Sequence, residues 1–479
     1  MIFYWLNDSC NLFSSLNSLC TLSNITSYAI NVDSAATVTA ELKFAQERNV
    51  RLSIKNTDHD YIKRSNDRDS LTLWMHNLND MSFFNYSSSD YIDSVAKADV
   101  DIQFLDIYRE TVNHEVRVLD EYCSSVRMIE DYVQSEKHES LAASYDMTVD
   151  NTLEFEIVTV DDRHLIVSLT QNLNLYWALN DEEADTYVVI LSMTIKAHVD
   201  DLIVDAFFSL FNTNSNKYWA AVEAFQKHFL VLNLISDFAI SWDLDNHTFD
   251  LNVVTLLDAV KSNMMIAWKS FLQELKRLDV SLISVNTTEH FNFYDHYEHY
   301  TFSSKIYQTN NSLKKRLISL SIMQNDLTDF IDVFCKIVID LEFTTNWINA
   351  IDLNVSHECV ENASNSNSVL SAWRDVLYTL NVSIVFSADA SSQKLEMIQV
   401  KINTWQTLFT SLTLNDEAYI NETTYDDSDW KMNYFEENYD TLLKIKRKYD
   451  SSFALWQHTS VKADVYWKMI NDERLCRVF

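Results

Sequence analysis

From Ser34 onward the chain sets a hydroxyl side chain before apolar residues at Val38, Leu42 and Ala45. That spacing predicts a capped helix running to about Arg48. The next stretch, "NVRLSIKNT", alternates Val50, Leu52 and Ile54 with polar residues, as in a half-buried strand. Helix, strand and then a polar loop make an α/β opening. "SLTLWMHNLND" at 70–80 reads as a further strand. Residues 152–169, "TLEFEIVTVDDRHLIVSL", alternate on both sides of Asp161-Asp162 and predict a β-hairpin. A two-residue type I′ turn needs φ > 0 at both central positions, which suits Asp-Gly and strains Asp-Asp. Longer amphipathic patterns at 255–278 and 313–345 predict helices. "YDTLLKIKRKYD", 439–450, predicts a helix with Leu442, Leu443 and Ile445 inward. Its basic outer run reads as a solvated face rather than a binding patch. No internal repeat is visible.

Composition changes this picture in one respect. The chain has 479 residues and neither Gly nor Pro. Average usage is roughly 7% Gly and 5% Pro, so several dozen of the two are expected. Their absence reads as substitution, and every turn that needs φ > 0 must use another residue. The rest is globular: 47% of residues are hydrophobic. The length suits two or three domains. A net charge of −33 argues against nucleic acid and against an anionic membrane surface as partners. Its bland reading is solubility.

No apolar run approaches the ~18 residues of a membrane span. The opening "MIFYWLNDSC" is a poor secretory signal, although a signal could have been trimmed from it. Asn-x-Ser/Thr sequons recur from Asn7 to Asn421; chance can produce them here, and as a set they lean towards a secreted glycoprotein. No Cys-x-x-Cys zinc pattern occurs. Cys10 and Cys20 could close a small disulfide loop or stand as free thiols.

Three stretches together carry a resemblance. They are "NVRLSIKNTDHDYIKRS", then "EYCSSVRMIEDYVQSEKHESLAASY" at 121–145, and "DNTLEFEIVTVDDRHLIVSLTQNLNLYWALNDEEADTYVVILSMTIKAH" at 150–198. In this order the chain resembles the FAD-linked oxidases of the vanillyl-alcohol oxidase and p-cresol methylhydroxylase superfamily, in the fungal berberine-bridge-enzyme-like branch. The terminal "WKMNYFEENYDTLLKIKRKYDSSFALWQ" resembles the same group's final segment. The departures fall at the family's glycines and prolines. Asp58 and Lys63 stand at glycines of the first loop, and Ser124 where a proline follows the cysteine. Glu130, Asp131, Ser135, Glu136, Lys137 and Glu139 stand in the second stretch's glycine positions, Asp181, Glu182, Glu183 and Asp185 in the third's, and Glu436 in the last.

The resemblance implies an α+β fold: a two-part FAD-binding domain of the PCMH type, and a substrate domain whose antiparallel sheet is backed by helices. Its divisions fall at 1–200 for the FAD-binding domain, 201–400 for the substrate domain, and 401–479 for a segment returning to the FAD domain. It implies that His59 bonds covalently to the flavin 8α-methyl and Cys123 to flavin C6. Two such tethers would fix the ring and raise its potential. Taken singly, His59 reads as a loop histidine and Cys123 as a buried thiol. Asn56, Thr57, Arg64 and Ser65 are candidates for the FAD diphosphate, with Tyr132 and His138 beside the second loop. Arg64 reads equally as a surface cation. Tyr61 matches a position near the substrate face, or packs as an ordinary aromatic. Tyr434 is the candidate base that takes a substrate proton while hydride leaves to the flavin. Asn438 would support that strand.

One further cluster, "EHFNFYDHYEHY" at 289–300, sets His290, His296 and His299 beside Asp295 and Glu298. A helical His-x-x-His can bind metal. The crowded aromatics favour a strand or loop lining the substrate domain, and no metal is assigned. Small-molecule substrate and O₂ are the expected partners of a monomer. Two function classes follow. The first is an FAD-dependent oxidase of an alcohol, sugar or secondary metabolite, impaired because acids sit where a diphosphate must lie. The alternative is a non-enzymatic, engineered derivative without Gly or Pro that keeps the fold pattern and does not bind flavin.

Overall fold

A strand with every residue from Leu52 to Ile54 buried needs cover on both faces, and the architecture is built around providing it. The protein's computed structural model describes residues 26–477 apart from 58, 60–64, 66–69, 120, 122, 130–140, 181–183, 236, 302–309, 344, 357–366, 388–389, 411, 414–419, 421–426 and 471–473. β1 (Tyr28–Asn31), β2 (Leu52–Lys55) and β3 (Leu71–Trp74) form a parallel sheet in the order β1-β3-β2. The first helix, α1 (Ala35–Arg48), starts at Ser34, whose side chain accepts from Thr37 N, and ends at the left-handed Asn49. Val38, Leu42 and Ala45 are its buried stripe, as the spacing predicts. The strand expected across 70–80 is confined to β3.

A five-stranded antiparallel sheet follows in the order β4-β5-β9-β7-β8. Its strands are β4 (Met81–Ser87), β5 (Ile92–Asp99), β7 (Thr152–Val158), β8 (His164–Ser168) and β9 (Val189–Lys196). α2 (Phe104–His114) and α3 (Leu173–Leu179) belong to the same region, where β6 (Val116–Arg117) pairs with β10 (His198–Val199). The expected hairpin is β7–β8, but its turn is wider than a type I′ turn. Thr159 N donates to Arg163 O at 2.9 Å, Asp162 N donates to Thr159 O at 3.1 Å, and Asp162 alone of the central pair has positive φ, 67°. Strain is therefore confined to one aspartate instead of two.

The largest sheet has seven antiparallel strands in the order β14-β11-β13-β12-β16-β17-β15. They are β11 (Ile203–Phe211), β12 (Phe238–Leu244), β13 (Thr248–Leu257), β14 (Ser284–His290), β15 (Asn310–Ser319), β16 (Asn346–Asp352) and β17 (Val376–Phe386). The helices of this part are α4 (Ser215–Leu232), α5 (Lys261–Arg277), α6 (Phe293–Thr301), α7 (Leu327–Val338) and α8 (Ser392–Thr410). α4 is capped by Asn214, whose side chain accepts from Lys217 N at 3.2 Å. Tyr218, Ala221, Val222, Phe225, Phe229 and Leu232 form its buried stripe. Phe225 meets Trp268 of α5 and Trp242 of β12 in one aromatic cluster.

Three expectations change here. Residues 255–257 end strand β13, so the amphipathic helix begins only at Lys261. Residues 313–319 are strand, and helix starts at Leu320. Arg316 is buried because α8 supplies partners: Gln406 Oε1 at 3.1 Å from its Nε and Thr410 Oγ1 at 3.2 Å from its Nη2. Residues 293–301, expected as strand or loop, form helix α6.

The terminal segment contains α9 (Trp430–Phe435) and α10 (Tyr439–Tyr449). Leu455 then bridges in parallel to Leu52 of β2, so this segment adds to the open edge of the first sheet. Leu442, Leu443 and Ile445 point inward as expected. Lys446, expected outward, is buried; its Nζ donates to Asp450 Oδ2 at 2.8 Å and to Leu455 O at 2.7 Å. Two buried hydrophobic clusters result, one joining the first two sheets with the terminal segment and one beneath the seven-stranded sheet. No helix among the described residues is long and apolar enough to cross a membrane.

Candidate functional site

β2 runs out at Lys55, and its chain passes into the loop holding Asn56, Thr57, His59 and Ser65. Asn56 is buried, and neither its Oδ1 nor its Nδ2 has a hydrogen-bond partner among the described residues. An unpaired buried amide is costly and leaves donor and acceptor bonding capacity open in this loop.

His59 reaches across to a second loop, where its Nε2 lies 3.1 Å from Ser125 Oγ. Cys123 Sγ lies 3.5 Å from the same hydroxyl. One serine thus gathers the two residues that the resemblance singles out. Cys123 is exposed, not the buried thiol that a lone reading suggests.

Its loop is fixed from α2. Phe104 N donates to Val126 O at 3.1 Å and Leu105 N to Ser124 O at 3.2 Å, so the first turn of α2 satisfies its free N–H groups on this loop. Tyr108 of α2 accepts from Glu121 N at 2.6 Å, and Glu121 Oε1 accepts from Cys123 N at 3.1 Å. Below, the guanidinium of buried Arg127 binds the Asp101 carboxylate and donates from Nε to Asp101 O at 3.0 Å. Burial raises the Asp101 carboxyl above its ordinary range, against the opposing pull of Arg127 and His76.

Tyr61, Arg64, Tyr132 and His138 lie outside the described residues, as do Asp58, Lys63 and the substituted run from Glu130 to Glu139. Tyr434 is fully buried on α9, and none of the bonds above joins it to the His59–Ser125–Cys123 group. The segment expected there as a strand is helical, and Asn438 Nδ2 donates to Ser368 O at 2.9 Å. Glu436 has φ 46° and ψ −137°, a region that in practice only glycine occupies. Its carboxylate accepts from Ser371 N at 3.2 Å and Ser371 Oγ at 3.0 Å. Ser125, Glu121 and Arg127 were not legible as site residues. Only a serine two places after the cysteine hinted at the first.

Comparison with known proteins gives a consistent setting. The family described as berberine and berberine like matches residues 418–462. The VAO-type flavoprotein oxidase VAO615 of Thermothelomyces thermophilus is 30% identical over 98% of this chain and 82% of its own length. The FAD-linked oxidoreductase patO of Aspergillus clavatus is 29% identical over 98% of this chain and 82% of its own length. The crystal structure of the VAO-type flavoprotein MtVAO615 from Myceliophthora thermophila C1 superposes with a TM-score of 0.88 at 29% identity, covering 98% of this chain and 85% of that one.

Proposed function

Since the chain belongs to the berberine-bridge-enzyme-like branch of the vanillyl-alcohol oxidase superfamily, a family of FAD-linked oxidoreductases, we propose that it tethers flavin through both His59 and Cys123 and oxidises a small molecule by hydride transfer. The observation that carries this reading is the convergence of His59 Nε2 and Cys123 Sγ on the Ser125 hydroxyl. The residues present fit FAD. Asn56 offers an unpaired buried amide in the same loop as His59, and the Cys123 thiol is exposed. When bound, the flavin would supply the hydride acceptor and pass electrons to O₂.

The chain's own residues do the positioning. Ser125 holds the imidazole and the thiol at one hydroxyl. Glu121 holds the Cys123 backbone, and Tyr108 holds Glu121 in turn. Asn56, Thr57 and Ser65, with Arg64, Tyr132 and His138, would take the diphosphate. Tyr434 is the candidate base for a substrate proton, with Tyr61 on the substrate face. The substrate is an alcohol, sugar or secondary metabolite. The proposed division places the FAD domain at 1–200, the substrate domain at 201–400 and the returning segment at 401–479.

Loading is weakened in this reading. By the resemblance, Asp58, Glu130, Asp131, Glu136 and Glu139 replace glycines of the loops that would take a dianionic diphosphate, and like charges at ~4 Å cost several kcal/mol even at an intermediate effective dielectric. The glycine-only conformation of Glu436 is an observation in the same direction. The test is the flavin-to-protein ratio of acid-precipitated protein, with peroxide release measured beside it. We expect well under one equivalent of covalent flavin, with H59A and C123A each keeping the other tether and the double variant keeping none. A full equivalent with rapid turnover overturns the impairment. Covalent flavin surviving in the double variant overturns the anchoring. No flavin after refolding with excess FAD leaves the flavin-free derivative as the correct reading.

A further inference from the structure

Asp205 of β11, His290 of β14 and His299 of α6 come from three elements, and each places one donor atom within 4.8 Å of the others. Asp205 is 1% exposed, His290 8%, and the His299 side chain 44%, so two donors are buried and the third stands at the mouth. The Asp205 carboxylate collects the group. Thr288 N donates to its Oδ1 at 3.2 Å, while His290 Nε2 meets Oδ2 and His299 Nδ1 lies 3.3 Å from the same oxygen. The Tyr300 hydroxyl also hydrogen-bonds this carboxylate.

Behind them sits His296, buried, with its ring 5.5 Å from that of His290 and at 83° to it. Its Nε2 lies 3.2 Å from Thr255 Oγ1, and its Nδ1 has no partner among the described residues. Asp295 and Glu298, the acids next to these histidines in sequence, are engaged elsewhere. Asn292 Nδ2 donates to Asp295 at 3.0 Å and the Tyr294 hydroxyl to Glu298 at 2.6 Å.

We propose that Asp205, His290 and His299 form a zinc site that pins α6 to the edge of the seven-stranded sheet. Two imidazoles and one carboxylate suit Zn²⁺, whereas Mg²⁺ and Ca²⁺ prefer oxygen donors. Tetrahedral bonds of about 2.0–2.1 Å set donors roughly 3.3 Å apart. The His299–Asp205 spacing already has this value, and the closer His290–Asp205 pair opens as the ion enters. The fourth position falls on the exposed His299 side, where water completes it.

The experiment uses the full chain without an affinity tag. The protein is stripped with chelator, exposed to Zn²⁺ or to Mg²⁺, gel-filtered and analysed for metal. The expected result is about one equivalent of zinc, no magnesium, and a melting temperature that rises with Zn²⁺. Co²⁺ in its place gives the intense visible bands of a four-coordinate ion. H299A changes a half-exposed side chain, so it folds where D205N does not, and it lowers zinc affinity by about tenfold or more. Zinc retention below about a tenth of an equivalent overturns the proposal. Retention unchanged in H299A, or equal uptake of Mg²⁺, overturns it too. A purely hydrogen-bonded Asp–His cluster is then the correct description.

Discussion

Twelve described residues have positive φ, and five of them are aspartates. Aspartate tolerates the left-handed region better than most residues because its short side chain bonds locally. Glu436 has no such excuse. At φ 46° and ψ −137° its Cβ sits where glycine alone is comfortable, at a cost of order 1–3 kcal/mol. The two hydrogen bonds from Ser371 recover part of that cost. E436G should therefore raise stability by about 1 kcal/mol, read as a higher urea midpoint with an unchanged slope. An unchanged or lower midpoint would mean the Ser371 bonds outweigh the strain. At this scale the resemblance to a family names His59 and Cys123 as candidates. It does not name Ser125, whose meaning depends on two loops meeting. Asp205 was hidden further: its histidine partners lie 85 and 94 residues along the chain.

Among elements, the β7–β8 hairpin shows how the chain manages a turn without glycine. Widening the turn leaves Asp162 as the sole central residue at positive φ, and Thr159 Oγ1 receives Arg163 N at 3.0 Å. D162G should stabilise the hairpin by about 1 kcal/mol. Slower amide exchange at Thr159 and His164 would show it, and faster exchange would refute it. Elements with a clear local period were readable: α1, the hairpin and α10 all lie where the pattern sets them. β15 was misread because Lys315 and Arg316 interrupt the apolar pattern of a buried strand, and for Arg316 the partners on α8 make burial acceptable. α6 was misread because its aromatics serve both a helix face and packing against α2, a tertiary fact that periodicity does not carry.

At the scale of the molecule, a buried arginine ties together segments more than two hundred residues apart in sequence. Arg374, in the turn before β17, donates from Nη1 to Asp146 at 2.8 Å and from Nη2 to both oxygens of Asp150 at 2.9 Å. Burial, and then the neighbouring Asp150 carboxylate, push Asp146 up to about 8, while Arg374 pulls the other way. The folded state thus holds a proton that the unfolded chain releases in the ordinary carboxylate range. The stability from this group is fully present below about pH 4 and is lost as pH rises through about 8. The melting temperature should fall as pH rises from about 4 to about 8, level off above that, and fall much less in D146N, which keeps the acceptor oxygen without a titrating proton. A D146N slope as steep as the parent's would refute this assignment.

Tyr108 has a consequence of its own. Its ring is held edge-on by Phe293, at 5.2 Å, and Tyr297, at 4.7 Å, both on α6, while its oxygen holds the strip of backbone that presents Cys123. A single phenol is therefore owned jointly by two distant neighbourhoods. Any sliding of α6 would tilt that ring and shift the backbone that carries Cys123, so the placement of this thiol depends on packing at α6.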